Sequence, residues 1–125
     1  MLMVVVVLAV AISALPQATI STGSVQGAVL DASGAVVVGA KVTVTNKATG
    51  ESRTLTTTGS GSYSFGVLIP GNYTLRIEAK GFKTAELSVK AEVGVVTPIS
   101  VRLQVGPENQ IVNVEAEAVL VNTVQ

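Results

Sequence analysis

Apolar and polar residues alternate with a period of two along most of this chain. The cleanest run is Asn72 to Lys80, where Tyr73, Leu75, Ile77 and Ala79 share one side and Asn72, Thr74, Arg76, Glu78 and Lys80 the other. Successive side chains of a strand point to opposite faces, so this pattern predicts a strand with one buried face. The same reading predicts strands over Ser24 to Leu30 and over Ala40 to Asn46, where Val42 and Val44 oppose Lys41, Thr43 and Thr45. A polar strand follows from Glu51 to Thr58, and then Ser62 to Val67, with Tyr63, Phe65 and Val67 expected inward. Two further runs set Leu87, Val89, Ala91 and Val93 against Glu86, Ser88, Lys90 and Glu92, and Ile99, Val101, Leu103 and Val105 against Ser100, Arg102 and Gln104.

Turn chemistry separates these runs: Asp31-Ala32-Ser33-Gly34, Asn46 to Gly50, Gly59-Ser60-Gly61, Leu68-Ile69-Pro70-Gly71, and Gly81. Short strands at this spacing, each with one apolar face, predict an all-β protein: a seven- to eight-stranded antiparallel sandwich of two packed sheets. A slip of one residue would turn every inward side chain to water, so register is strongly specified. Nothing between the strands has helical periodicity, which excludes a parallel α/β fold built on crossover helices.

The two ends read differently. Met1 to Leu15 carries no charge and is almost wholly apolar, too short for a membrane span of about 20 residues. It has the length of the apolar region of an export signal, and small residues at Ser13, Ala14, Ala18 and Ser21 offer cleavage positions. No Lys or Arg precedes it, so the terminal amine is left to supply the positive charge. Residues 1–21 are therefore expected to be a signal peptide and 22–105 the sandwich. At the other end Gly106-Pro107 breaks the pattern, and 106–125 is expected to be a linker or extra strand. There Val112, Val114, Ala116 and Ala118 alternate with Asn113, Glu115 and Glu117.

Composition narrows the function classes. Eight basic and eight acidic residues give zero formal charge. With no basic stripe and no interleaved aromatics, nucleic acid is not an expected partner. The chain has no histidine and no cysteine, which removes the usual zinc ligands and every Ser-His-Asp or Cys-His arrangement. The single aspartate, Asp31, sits where a turn residue belongs, and the glutamates alternate onto solvent faces, away from paired-carboxylate chemistry. Gly59, Gly61 and Gly66 lack the helix and the Lys-Ser/Thr ending of a phosphate loop. No catalytic, cofactor-binding or metal-binding residue is assigned. Sugar recognition would need exposed aromatic faces, and of the four aromatics Tyr63, Phe65 and Tyr73 share inward parity while Phe82 follows Gly81 as a core anchor. Asn72-Tyr73-Thr74 is formally a glycosylation acceptor, but its place after a Pro-Gly turn accounts for it.

The run Gly27-Ala28-Val29-Leu30-Asp31, Gly34, and Gly39 to Asn46 resembles the opening of a carboxypeptidase regulatory-like domain. Gly61-Ser62-Tyr63-Ser64-Phe65, then Leu68 to Leu75, then Ala79-Lys80-Gly81-Phe82 continue the pattern in order. The resemblance implies a transthyretin-like sandwich, grouped with carbohydrate-binding-like folds and related to the repeats of collagen-adhesin stalks. In the turn before Gly61, where that family often carries aspartates, Thr58 and Ser60 stand instead, so no calcium role is implied. The stalk relatives form Lys-to-Asn crosslinks from a buried lysine, whereas Lys41 falls on the polar side of its strand. Leu103 to Gly106, Val112 to Ala116 and Val119 to Thr123 resemble the joint leading out of this domain in TonB-dependent receptor-like proteins. The chain reaches Gln125 without a terminating signal. It is accordingly expected to be a non-catalytic interaction module, the N-terminal piece of an outer-membrane receptor, exported to the periplasm or outer membrane of a Gram-negative-type bacterium. Its expected partners are the plug and barrel of that parent or another envelope protein. A free-standing carbohydrate-binding module is the alternative.

Overall fold

The structure, a computed structural model, describes residues 21–114. The expected signal peptide, apart from Ser21, and the tail after Val114 lie outside the described residues. Nine strands form among them: β1 Gly23–Leu30, β2 Lys41–Asn46, β3 Ser52–Thr56, β4 Ser62–Leu68, β5 Gly71–Glu78, β6 Thr84–Ala91, β7 Val96–Pro98, β8 Val101–Arg102 and β9 Ile111–Asn113. They make two sheets. The larger runs β3-β2-β5-β6-β9; the smaller runs β4-β1-β7, with β8 also pairing with β1.

Alternation builds the larger sheet. Val42 lies opposite Ile77, Val44 opposite Leu75, Leu75 opposite Leu87, and Tyr73 opposite Val89. All of them are buried, and each Val, Leu or Ile so placed contributes about 1.5–3 kcal/mol. The smaller sheet faces them with Val25, Val29, Tyr63, Phe65, Leu68, Ile99, Val101 and Leu103. β1 runs very close to the segment entering β8: Ile99 N–H donates to the Gln26 carbonyl at 2.8 Å. A Cβ on Gly27 would lie 1.7 Å from the Ile99 carbonyl oxygen, so only glycine permits this approach.

The sandwich is as the alternation predicts, while its pairing is mixed. β1 pairs in parallel with β7 and β8, and β6 with β9. No helix is needed for these short pairings, because the strands between them cross through the opposite sheet and carry the chain back. The polar strand is shorter than its expected span, Ser52–Thr56, because Thr57 turns into the core. Its hydroxyl donates to the Val37 carbonyl and accepts from Ala40 N–H.

Three valines expected inward point out. Val93 and Val105 are 55% and 75% exposed. Val93 lies past the end of β6, in the turn closed by Val95 N–H on the Glu92 carbonyl, and Val105 lies past β8. Val67 is 75% exposed although it is within β4. There Phe65 pairs with Val25 and Leu68 with Gly23, so two residues of β4, Gly66 and Val67, face Ser24 alone. This is a β-bulge, and it shifts the parity so that Leu68 is buried in place of Val67.

Candidate interaction surfaces

Asp31 begins the turn after β1 and closes on itself. Its Oδ1 accepts from the Ser33 hydroxyl at 2.6 Å, Ser33 N–H at 2.9 Å and Ala35 N–H at 3.0 Å. The Ser33 hydroxyl above all, then Ala35 N–H, holds the carboxyl below its ordinary range. Its Oδ1 is committed to its own loop. In the turn between β3 and β4, the hydroxyls of Thr58, Ser60 and Ser62 form a chain of contacts at 3.0 and 3.1 Å. No carboxylate joins them there, and among the described residues no three His, Cys, Asp or Glu side chains gather into a metal-holding group. Lys41 is exposed, and its Nζ lies 4.0 Å from Glu78.

The aromatics are spent on the interior. Tyr63, Phe65 and Tyr73 are buried. Tyr63 donates its hydroxyl to the Ile99 carbonyl, and burial pushes its phenol above the ordinary tyrosine value. Its ring meets Phe65 at 6.2 Å, tilted by 56°. Tyr73 donates to the Ile69 carbonyl. Phe82 is half-buried and packs against the core. Tyr63, Phe65 and Tyr73 therefore offer no free ring face.

A feature without a signal in the alternation is the clasp between the open edges of the two sheets. Arg53 on β3 reaches across to β4, donates to the Gly66 carbonyl at 2.7 Å, and sets its guanidinium 5.8 Å from the Phe65 ring centre. It thereby holds the bulge in which Val67, a β-branched residue, adopts a φ of 55°, a backbone region costly for such a side chain. The break in alternation at Gly66-Val67-Leu68 was the available hint. The bulge places Val67 beside Val95 and Val96 in a shallow depression at the rim where the chain enters through Thr22 and Gly23. Ile69, also exposed, is two residues on. A second groove crosses the outer face of the smaller sheet, lined by Gln26, Ser62, Ser64, Pro98 and Ser100 over the small residues Gly27 and Ala28. Neither brings a nucleophile to a base.

The sequence model of the carboxypeptidase regulatory-like domain matches residues 24–104. The chain belongs to that family. No curated protein matches it in sequence. Among solved structures, the domain is similar to the minor pilin GBS52 of Streptococcus agalactiae, at a TM-score of 0.58 and 19% identity over 74% of this chain and 48% of that one. It is similar to a putative carbohydrate binding protein from Bacteroides uniformis, at a TM-score of 0.53 and 21% identity over 64% of this chain and 40% of that one. It is also similar to the 5-hydroxyisourate hydrolase of Klebsiella pneumoniae, at a TM-score of 0.53 and 20% identity over 67% of this chain and 92% of that one. The chain thus spans less than half of the pilin and of the carbohydrate binding protein. At these identities the likeness is one of fold, which does not carry function with it.

Proposed function

We propose that this domain is a non-catalytic interaction module of an exported protein, standing ahead of the plug and barrel of a TonB-dependent receptor in a bacterial outer membrane. The observation that carries the non-catalytic reading is where the chemistry-bearing side chains sit. Asp31 serves its turn, Tyr63 and Tyr73 donate inward, and Lys41 and Lys90 lie 4.0 and 3.8 Å from Glu78 and Glu92. What faces outward is an apolar rim and a hydroxyl-lined groove. The receptor context is supported by the resemblance of Leu103 to Gly106 and Val112 to Ala116 to the joint of such receptors, and export by the apolar run Met1 to Leu15. Residues 1 to about 21 are then removed on export.

The test is to sequence the gene beyond codon 125 and to weigh the exported protein by mass spectrometry. A continuing frame that encodes a plug and barrel, with loss of the N-terminal segment, is the expected result. A true stop codon with no barrel-coding frame downstream defeats the receptor context, and an intact N-terminus in exported protein defeats the processing. The carbohydrate-binding alternative predicts micromolar sugar binding in calorimetry that disappears on mutating Tyr63 or Phe82. The burial of Tyr63 and the packing of Phe82 against the core predict none.

A further inference from the structure

No residue from Thr54 to Leu75 carries a charge. Within that span the run Tyr63-Ser64-Phe65-Gly66-Val67-Leu68-Ile69 contains no proline and passes through β4. Uncharged, proline-free windows of about five to seven residues with strong strand propensity pair readily with copies of themselves at an open edge. β4 lies at the end of its sheet, with β1 on one side. Val29 N–H donates to the Gly61 carbonyl at 2.8 Å, so in this antiparallel ladder Tyr63 and Phe65 also turn their backbone to β1. Ser62, Ser64 and Gly66 turn theirs to the outer side.

We propose that Arg53 is a guard on this edge, closing it against β4 of a second copy of the chain. The outer backbone groups are engaged at both ends of the strand. At its start Thr58 N–H donates to the Ser62 carbonyl at 3.0 Å, and Ser62 N–H donates to the Thr58 hydroxyl at 3.3 Å. At its far end Arg53 donates to the Gly66 carbonyl at 2.7 Å and to the Val67 carbonyl at 3.4 Å. Ser64 alone lies between the two closures. An incoming strand must therefore displace the guanidinium or bury it, and burying a charge in a new sheet costs heavily. The register of β3 explains how one residue reaches so far. Arg53 pairs with Val44, whose side chain is buried, so Arg53 projects from the inner side of β3 into the gap between the two sheet edges. The Phe65 ring, 5.8 Å away, steadies the guanidinium there. Proteins usually protect a sticky strand with charges beside it in sequence. Here the charge comes from the opposite sheet, and among the described residues it is the one charged side chain bonded to β4. The occupant kept out is a second copy because β4 matches itself. In an antiparallel pairing centred on Ser64, Ser62 meets Gly66 and Tyr63 meets Phe65, with no like charges opposed. The inference is independent of what the parent protein is.

Crosslinking of the exported protein tests it, since the chain has no cysteine of its own. Ser64→Cys places a thiol on the exposed outer face of β4, and Ser88→Cys places a reference thiol on the exposed outer face of the larger sheet. Intermolecular disulfides at Ser64→Cys are expected to form about tenfold faster or more when Arg53→Leu is added, because paired strands bring the two thiols within bonding reach. Disulfides at Ser88→Cys should form at the same rate with and without Arg53→Leu. Arg53→Lys, which keeps the charge, should leave the Ser64→Cys rate slow. Arg53→Gln keeps a polar side chain of similar length and loses the charge, so it should accelerate Ser64→Cys as well, and it decides the matter if the leucine variant does not fold. Equal Ser64→Cys rates with and without the guanidinium overturn the proposal. Acceleration at Ser88→Cys as large as at Ser64→Cys also overturns it, because that result reports general unfolding and not the opening of β4.

Discussion

In the larger sheet, β2, β5 and β6 bury every second side chain with little interruption, whereas in the smaller sheet β4 changes parity part-way and the chain after β6 supplies only short strands. From Tyr73 to Ala79 each odd-numbered residue is buried, and the three strands hold a register without a bulge. In β4, Tyr63 and Phe65 are buried, Val67 is not, and Leu68 is. Both sheets contribute to one core, so hydrophobic demand does not separate them. The difference lies in what the backbone must do. In the larger sheet β3, β2, β5 and β6 are all antiparallel neighbours and parallel pairing is confined to the short β9 at its edge, while β1 in the middle of the smaller sheet must pair antiparallel with β4 and, on its other side, parallel with β7 and β8. That geometry is met by a bulge opposite Ser24 and by a bare glycine opposite Ile99.

The sharpest way to break the smaller sheet alone is therefore at Gly27. Gly27→Val places a side chain where the Ile99 carbonyl stands, and backbone cannot yield as a flexible side chain can. Loss of at least about 3 kcal/mol, enough to unfold a marginal domain, is expected in denaturant melts. Tolerance of valine would mean that β1 and the 99–101 segment are further apart than the structure places them.

In the larger sheet the expected contrast is between faces. Tyr73→Ala removes a buried ring and its bond to Ile69, and should cost about 3–5 kcal/mol. Its neighbour Thr74→Ala lies on the outer side and should change stability by about 0.5 kcal/mol or less. Similar losses from the two would contradict the burial pattern of β5.

Period-two alternation read the larger sheet almost residue by residue, because a regular ladder maps sequence parity directly onto burial. It read Tyr63 and Phe65 correctly and failed at Val67, because a bulge inserts one residue and composition does not announce where. Val93 failed for a related reason: alternation persists two residues past the end of β6, where the side chain has no sheet to face, and Val105, three residues past β8, is held only by an isolated bridge to Phe82. The parallel pairings of β7, β8 and β9 depend on long-range crossings that a local pattern does not contain. Of the surface features, Asp31 was legible as a turn residue from its Asp-x-Ser-Gly setting. The Arg53 clasp was not, since it joins residues whose only relation is that two sheet edges lie side by side.

Tyr63 offers a gentler probe of the smaller sheet's interior. Tyr63→Phe keeps the ring and removes the bond to the Ile99 carbonyl, at a cost of about 1 kcal/mol near neutral pH. Because burial raises the folded-state value of the phenol above the unfolded one near 10, its contribution is intact below about pH 10. It is lost progressively as pH rises toward the raised folded value, where the unfolded chain ionises first. The wild-type domain should therefore lose stability in alkali more steeply than Tyr63→Phe. Parallel curves for the two would show that another group governs the alkaline limb.

The smallest effect expected is a gain, at Val67. Left-handed backbone costs an L-residue about 1–2 kcal/mol, and a β-branched side chain suffers it without relief. Glycine adopts the same φ freely but loses more chain entropy on folding, about 0.5–1 kcal/mol. Val67 is mostly exposed, so truncating its side chain gives up little burial. Val67→Gly should then stabilise the domain by about 0.5–1 kcal/mol, whereas Val67→Ala, which keeps a Cβ, should gain less. Leu68→Ala, one residue on and buried, should lose about 2–5 kcal/mol. The ordering of these three variants in a denaturant series tests the bulge itself. If Val67 instead pointed inward, as uninterrupted alternation expects, both Val67 variants would destabilise and Leu68→Ala would cost little. A gain at Val67→Gly would also show that the native valine is held there against its backbone preference, with its side chain turned out toward the rim at which the chain enters. A strained apolar side chain presented to solvent is the kind of residue that a docking surface keeps at the expense of stability.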